Sequence, residues 1–234
     1  MNVRAALLSV ALCLGASSSH AQTAALDALS GITKQDQTTA LRSALMQGAQ
    51  AAVANLGKPD GFLGNPKVRI PLPGKLAKAD RMLRTLGMGA QTDALITAMN
   101  RAAEAAVPEA RTLLVDAVKQ MSVQDVAGIL TGGPDSATQY FRSKTGASLA
   151  AKFLPIVRKS TEKVDLASRY NAVAGKAAAF GVLDAKDASV ENYVTQKALD
   201  GLFTMIGEEE AAIRANPMGQ ASKLLQKVFS AAGR

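Results

Sequence analysis

The chain has 234 residues, enough for one large domain or two small ones, and at that size a fold buries about 70% of its unfolded surface without a covalent staple. Its single cysteine, Cys13, and single histidine, His20, both precede Gln22, and tryptophan is absent. The formal charge of +8 is moderate and its basic residues are scattered, a pattern that favours solubility and argues against nucleic acid as a partner.

The first predicted element is an export leader over residues 1–21. Arg4 supplies the positive start, Ala5 to Leu14 the apolar run, and Ser19-His20-Ala21 the small residues at the two positions that a signal peptidase reads. The run is too short to span a bilayer. Cys13 follows Leu12, where a lipoprotein signal needs a small residue, so cleavage after Ala21 without a lipid anchor is expected. The expected location is the periplasm. Loss of the leader removes Arg4, Cys13 and His20 together and leaves a net charge of +7. The remaining chain then has no disulfide, no thiolate nucleophile, no histidine base and no zinc site built on nitrogen or sulfur. Any catalysis would rest on carboxylates, hydroxyls, lysine or arginine, and no cofactor is implied.

Residues 22–234 read as one all-α domain, a bundle of about nine or ten helices. Leu41, Leu45, Gly48, Ala52 and Leu56 form the first stripe, behind a Thr33-to-Asp36 capping pattern and stopping at Gly57. Leu76, Ala79, Leu83 and Leu86 mark a second helix before Gly87. A third places Leu95, Met99, Ala102 and Ala106 on one side and Asp93, Thr97, Asn100, Arg101 and Glu104 on the other. Pro108 opens the next helix, which uses Ala110, Leu113, Leu114, Ala117 and Met121. Ser122 and Asp125 cap a short helix ending at Thr131-Gly132-Gly133. Further helices are predicted over about 134–144, 146–163 with a kink at Pro155, and 165–178. After a loop over 181–187, Ser189 caps the longest helix, which stops near Asn216-Pro217. Ala221, Leu224, Leu225, Val228 and Phe229 mark the last. No alternating β-branched run of useful length appears, and no later segment approaches the roughly 20 apolar residues of a membrane helix.

The least ordinary segment is the long Gly/Pro-rich loop 57–74, GKPDGFLGNPKVRIPLPG. Connections this long are uncommon inside compact domains and often serve binding. Phe62 and Leu63 stand between turn glycines as an apolar tip for a ligand or partner, and Arg69 adds a fixed positive charge. The competing reading is a rigid strap whose Phe62, Leu63, Ile70 and Leu72 plug the bundle. Asn100, Arg101 and Glu104, within about one turn, suit forked hydrogen bonds to a sugar or carboxylate, and a solvated helix face would look the same. Thr131-Gly132-Gly133 reads either as a backbone nest for an anion or as a plain helix stop.

This loop, together with MNRAAEAAVPEA from Met99 to Ala110, ILTGG from Ile129 to Gly133, Tyr140-Phe141, FLPIV from Phe153 to Val157 and RANP from Arg214 to Pro217, resembles the bacterial envelope family known as domain of unknown function 4197. The likeness covers nearly all of the chain beyond the leader. It implies an exported helical protein, and it carries no mechanism and no catalytic residues with it.

One further motif bears on chemistry. Glu208-Glu209-Glu210 lies on the longest helix, where Glu209 falls within the arc of Val194, Ala198, Leu202 and Met205, Glu208 at its edge and Glu210 away from it. A carboxyl on an apolar arc is either paired or driven neutral, and a neutral carboxyl is what a general acid needs. Glu209, Glu208 and Glu104 are therefore the candidates for a cell-wall glycan-acting enzyme, although the strings expected of lytic transglycosylases are absent. The bland account is an ion-pair network, with an exposed Glu210–Arg214 pair at i,i+4. No calcium-loop spacing is present, and no metal site is expected. The leading expectation is a non-catalytic binding or scaffold protein of the envelope. Its ligand would be apolar, amphipathic or anionic, or its partner another protein, and Phe62, Leu63, Arg69, Asn100, Arg101 and Glu104 would form the site.

Overall fold

The computed structural model describes residues 34–87, 89–161, 168, 171 and 189–215. The expected leader, the Thr33 cap, the loop over 181–187, the last helix and nearly all of the helix over 165–178 lie outside these residues. Every regular element among the described residues is helical. Helix α1 is Lys34–Leu56, α2 is Gly74–Thr85 and α3 is Gly89–Ala106. A 3-10 turn at Val107–Glu109 leads into α4, Ala110–Lys119, followed by α5, Val123–Thr131. Helix α6 is Ser136–Thr161 and α7 is Val190–Ala215.

The all-α expectation holds, and the count of nine or ten is not supported. Seven α-helices and one 3-10 turn stand among the described residues. Part of the difference is physical: the two helices expected over 134–144 and 146–163 are one. Gly146 does not break α6, because the buried stripe Phe141, Thr145, Leu149 and Phe153 runs through it on both sides and outweighs the cost of about 1 kcal/mol of one glycine. Pro155 sits inside the same helix on an exposed position, where water can serve the carbonyl that its missing N–H leaves free. Pro108 belongs to the 3-10 turn rather than to α4. Leu86, expected on the α2 stripe, is exposed, because α2 has already ended at Thr85 and Gly87 turns the chain at φ +79°.

Helix α7 is the hub, packed against α6, α1 and α3, while α1 also packs on α4 and α2 on α3. The predicted α1 stripe is buried as read: Leu41, Leu45, Gly48, Ala52 and Leu56 all face inward. Small residues set the distances. A Cβ placed on Gly48 would come within 3.3 Å of Glu209 Cβ, so the α1 and α7 backbones approach closely there. On α3, Ala102, Ala103 and Ala106 are fully enclosed beside Leu95 and Met99. Phe141 and Phe153 of α6 and Phe203 of α7 fill the space that the alanines leave.

The predicted cap of α5 is present in full. Ser122 Oγ accepts the Asp125 N–H at 3.1 Å, and Asp125 accepts the Ser122 N–H at 2.8 Å. The backbone and hydroxyl donors of Ser122 hold the Asp125 carboxyl below its ordinary range. A depressed carboxyl stabilises the fold above its unfolded value and loses that contribution as pH falls through the lowered one. Ser122→Ala is expected to lower stability by about 1 kcal/mol at neutral pH. A urea titration checks this, and the deficit against wild type should shrink in acid.

Candidate functional site

The 57–74 loop is a strap laid across α3 and α7. Its second half alternates: Val68, Ile70 and Leu72 are buried, while Lys67, Arg69 and Pro71 face solvent. Pro71 and Pro73 impose the extended backbone at Ile70 and Leu72, while Lys67 and Val68 lie in a turn whose Val68 and Arg69 N–H groups donate to the Asn65 carbonyl at 3.2 and 2.8 Å. Phe62 is fully enclosed, with its ring edge 2.6 Å from where a Cβ on Gly201 would stand, so only glycine fits at that point of α7. Gross burial of each of these large strap side chains contributes about 1.5–3 kcal/mol. The turn that delivers Phe62 places Asp60 at φ 63°.

Two α3 side chains fasten the strap. Asn100 Oδ1 accepts the Ile70 N–H at 2.8 Å, and its Nδ2 donates to the Ile70 carbonyl at 2.9 Å, so one amide completes both backbone groups of a single strap residue. Glu104 Oε1 accepts the N–H groups of Phe62 at 3.0 Å and Leu63 at 3.1 Å. Its Oε2 takes Arg101 at 2.7 Å, and Arg101 reaches on to Asp60 at 2.8 Å. The bond to Glu104, followed by that to Asp60, raises the Arg101 guanidinium above its ordinary value. At the far side Tyr193 donates its hydroxyl to the Pro71 carbonyl at 3.2 Å.

Of the residues expected to meet a ligand, Phe62, Asn100 and Glu104 are therefore buried, with Leu63 half-buried, and their polar groups are spent on the strap itself. The reading of a solvated α3 face is corrected in the same way. Asp93, Thr97 and Arg101 are exposed, but Asn100 and Glu104 lie at 0% and 5% beneath the loop. An extended segment lying on a polar stripe buries it as completely as an apolar one, provided its backbone groups are answered.

Arg69 lies elsewhere. It stands with Asp80 on the wall of a surface cleft of about 420 Å³ between the strap, α2 and α3, whose other walls are Pro66, Pro71, Leu72, Ala77 and Ile96. Arg84 spans the neighbouring carboxylates, Asp80 at 3.0 Å and Asp93 at 2.6 Å. That pairing holds Asp93 below its ordinary value, with a smaller contribution from Arg69. No ion pair among the described residues occupies the Arg69 guanidinium itself. A second surface cleft of about 370 Å³ carries Lys58 and Arg111 over Val53, Ala54, Gly57 and Pro108.

The glutamate triplet reverses its predicted order. Glu210, expected to point away, is 4% exposed, whereas Glu208 and Glu209 are half-buried. The expectation followed one stripe of α7, but a second one, Leu199, Phe203, Ile206 and Glu210, faces α6. Glu210 accepts the Ala137 N–H at 3.0 Å and, at 2.9 and 2.8 Å, the Thr138 N–H and hydroxyl. Arg214 completes it at 2.8 Å and also donates to the Ile129 carbonyl and Ser136 Oγ. The start of α6 thus takes the chain's own carboxylate as its anion, which leaves Thr131-Gly132-Gly133 as a helix stop. Glu208 pairs with Lys67 of the strap at 2.7 Å. Glu104, Glu208 and Glu209 do not appear among the described walls of either cleft. No group of three or more metal-ligating side chains occurs among the described residues, and no described helix is long and apolar enough to cross a membrane.

No curated protein and no solved structure matches the chain. A family model described as a protein of unknown function, DUF4197, matches residues 31–230. That span takes in the strap, the Asn100 and Glu104 fastenings beneath it and the Glu210–Arg214 hub, and on that match the chain belongs to the DUF4197 family.

Proposed function

We propose that the protein is an exported, non-catalytic binding protein of the cell envelope, and that its site is the cleft beside the strap. The observation that carries this reading is the contrast between the strap's two sides. Its inner side is fixed by Asn100 and Glu104, and its outer side presents Arg69 and Pro71 to a 420 Å³ cleft. Small-molecule sites fall in the range of about 300–1,000 Å³ and combine apolar walls with a few polar anchors. Pro66, Pro71, Leu72 and Ile96 supply the walls and Arg69 the anchor. A fixed strap also spares a ligand the entropy of ordering the loop. The ligand class is an amphipathic anion, its carboxylate or phosphate on Arg69 and its apolar part against Ile96. Export rests on the sequence pattern of residues 1–21. The competing glutamate acid is disfavoured by the partners of Glu104, which leave both oxygens engaged under the strap.

Native mass spectrometry of residues 22–234, purified from the compartment to which the leader sends them, tests the reading. The expected result is a stoichiometric adduct that extracts as an amphipathic anion. Arg69→Ala should weaken it at least tenfold, about the worth of one charge-assisted contact, and Ile96→Trp should fill the cleft and abolish it. Clean apo protein, or an adduct retained by both variants, would remove the cleft from consideration.

A further inference from the structure

Helix α6 contains five cations, Arg142, Lys144, Lys152, Arg158 and Lys159, and no acidic residue over its length from Ser136 to Thr161. Arg142 is internally committed: it pairs with Asp200 at 3.4 Å and stands 4.6 Å over the Phe203 ring. Among the described residues none of the other four forms an ion pair, and Lys144 alone of them meets a ring. At 100° per residue, Lys144, Ala147, Ser148, Ala151, Lys152, Pro155, Arg158 and Lys159 share an arc of about 140°. All eight are exposed.

The face is long, convex and of one sign. Lys144 and Lys159 are separated by about 22 Å along the axis at a rise of 1.5 Å per residue. Apart from the cations themselves the arc holds only alanine, serine and proline, so no bulky apolar side chain holds a partner away. Lys144 lies 5.7 Å over the Tyr140 ring. Asp125 of α5 feels Lys144, but its carboxylate is committed to Ser122. Lys144, Lys152 and the adjacent Arg158–Lys159 pair stand at three levels about 9–12 Å apart along the helix, too widely spaced for all of them to converge on one small anion. They also lack what a strand of polyanion uses. The face carries no stacking aromatic, and none of its residues lines either cleft.

We infer that this outer face of α6 docks on an anionic phospholipid surface. A planar array of negative headgroups is the partner that a convex row of spaced lysines matches at every position at once. The absence of large apolar side chains on the face makes the contact electrostatic adsorption at headgroup level, without insertion. The docking is independent of the cleft, which lies on the strap, α2 and α3.

Co-sedimentation with vesicles tests it, comparing phosphatidylcholine alone with phosphatidylcholine carrying phosphatidylglycerol at about a third of the lipid. Wild type should bind only the anionic vesicles and should release as salt is raised, because the Debye length shrinks to about 3 Å at 1 M. Lys144→Gln, Lys152→Gln and Lys159→Gln together should lower partitioning about a hundredfold. The three sites are exposed, and an unchanged circular dichroism melt confirms the fold. The control replaces Lys58, Arg81 and Arg111 by glutamine, which removes the same charge elsewhere and should leave partitioning within about twofold of wild type. Equal losses in the two triple variants would reduce the effect to net charge and overturn the inference. Binding to neutral vesicles, to no vesicles, or to soluble dextran sulfate in preference to vesicles would overturn it as well.

Discussion

Replacing Glu210 by alanine is expected to cost about 3–5 kcal/mol of stability, while Glu209→Ala stays within about 1 kcal/mol. The difference follows from what each carboxylate holds. Glu210 receives two backbone N–H groups and the Thr138 hydroxyl at the start of α6, together with Arg214, in a setting only 4% exposed. Alanine would leave those N–H donors buried without acceptors and strand the guanidinium of Arg214, which is 23% exposed. Arg214 also fastens the last turn of α5 through the Ile129 carbonyl, so the loss would spread from α6 to α5. Glu210→Gln retains one acceptor oxygen but sets an amide N–H against donors, and its cost should fall between wild type and alanine. Removing Arg214 in the alanine background should restore part of the stability, because no half-buried cation is then left without its carboxylate. Equilibrium urea unfolding of the four variants measures this. A Glu210→Ala protein within 1 kcal/mol of wild type would mean that the carboxylate does not fasten the bundle.

The sequence made the helices legible wherever one face alone meets the core. The α1 stripe, the Ser122–Asp125 cap and the Ser189 cap, whose hydroxyl accepts the Asn192 N–H at 3.1 Å, are all where the pattern places them. The reading failed where a helix has more than one buried side. Periodicity on α7 follows the strongest apolar stripe and has no means of showing that Glu210 lies on a second one, since a polar residue there looks solvent-facing until α6 is known to start opposite it. The same holds for Asn100 and Glu104. Their burial depends on loop residues 30 and 42 positions earlier folding back over α3, a contact that no local window contains. One signal was available. A loop whose Val68, Ile70 and Leu72 alternate with Lys67, Arg69 and Pro71 has a buried side, and an extended buried backbone requires polar partners, which a helix bearing Asn and Glu one turn apart supplies. The cleft was legible only as Arg69, because its walls come from three separate segments of the chain.

Glu104 is where the structural and catalytic readings make opposite predictions. A general acid in a glycan-cleaving site would tolerate Glu104→Gln with its stability intact and lose turnover. The strap reading predicts the reverse emphasis. Glu104→Ala removes the acceptor of the Phe62 and Leu63 N–H groups and leaves Arg101 with Asp60 alone, at an expected cost of about 3–5 kcal/mol. Glu104→Gln keeps an oxygen for the two N–H groups but turns an amide toward Arg101, and should cost about 1–2 kcal/mol. The loss should also be local before it is global. Phe62 is held by its packing against Gly201 as well as by Glu104, and the second half of the strap is held separately by Asn100. Hydrogen exchange at low denaturant should therefore show the Phe62 and Leu63 amides losing protection in Glu104→Ala while the Ile70 amide keeps its own. If all three amides lose protection together, the strap unfolds as one unit and the two fastenings are coupled. If none does, Glu104 is free of the strap and the catalytic reading regains its ground.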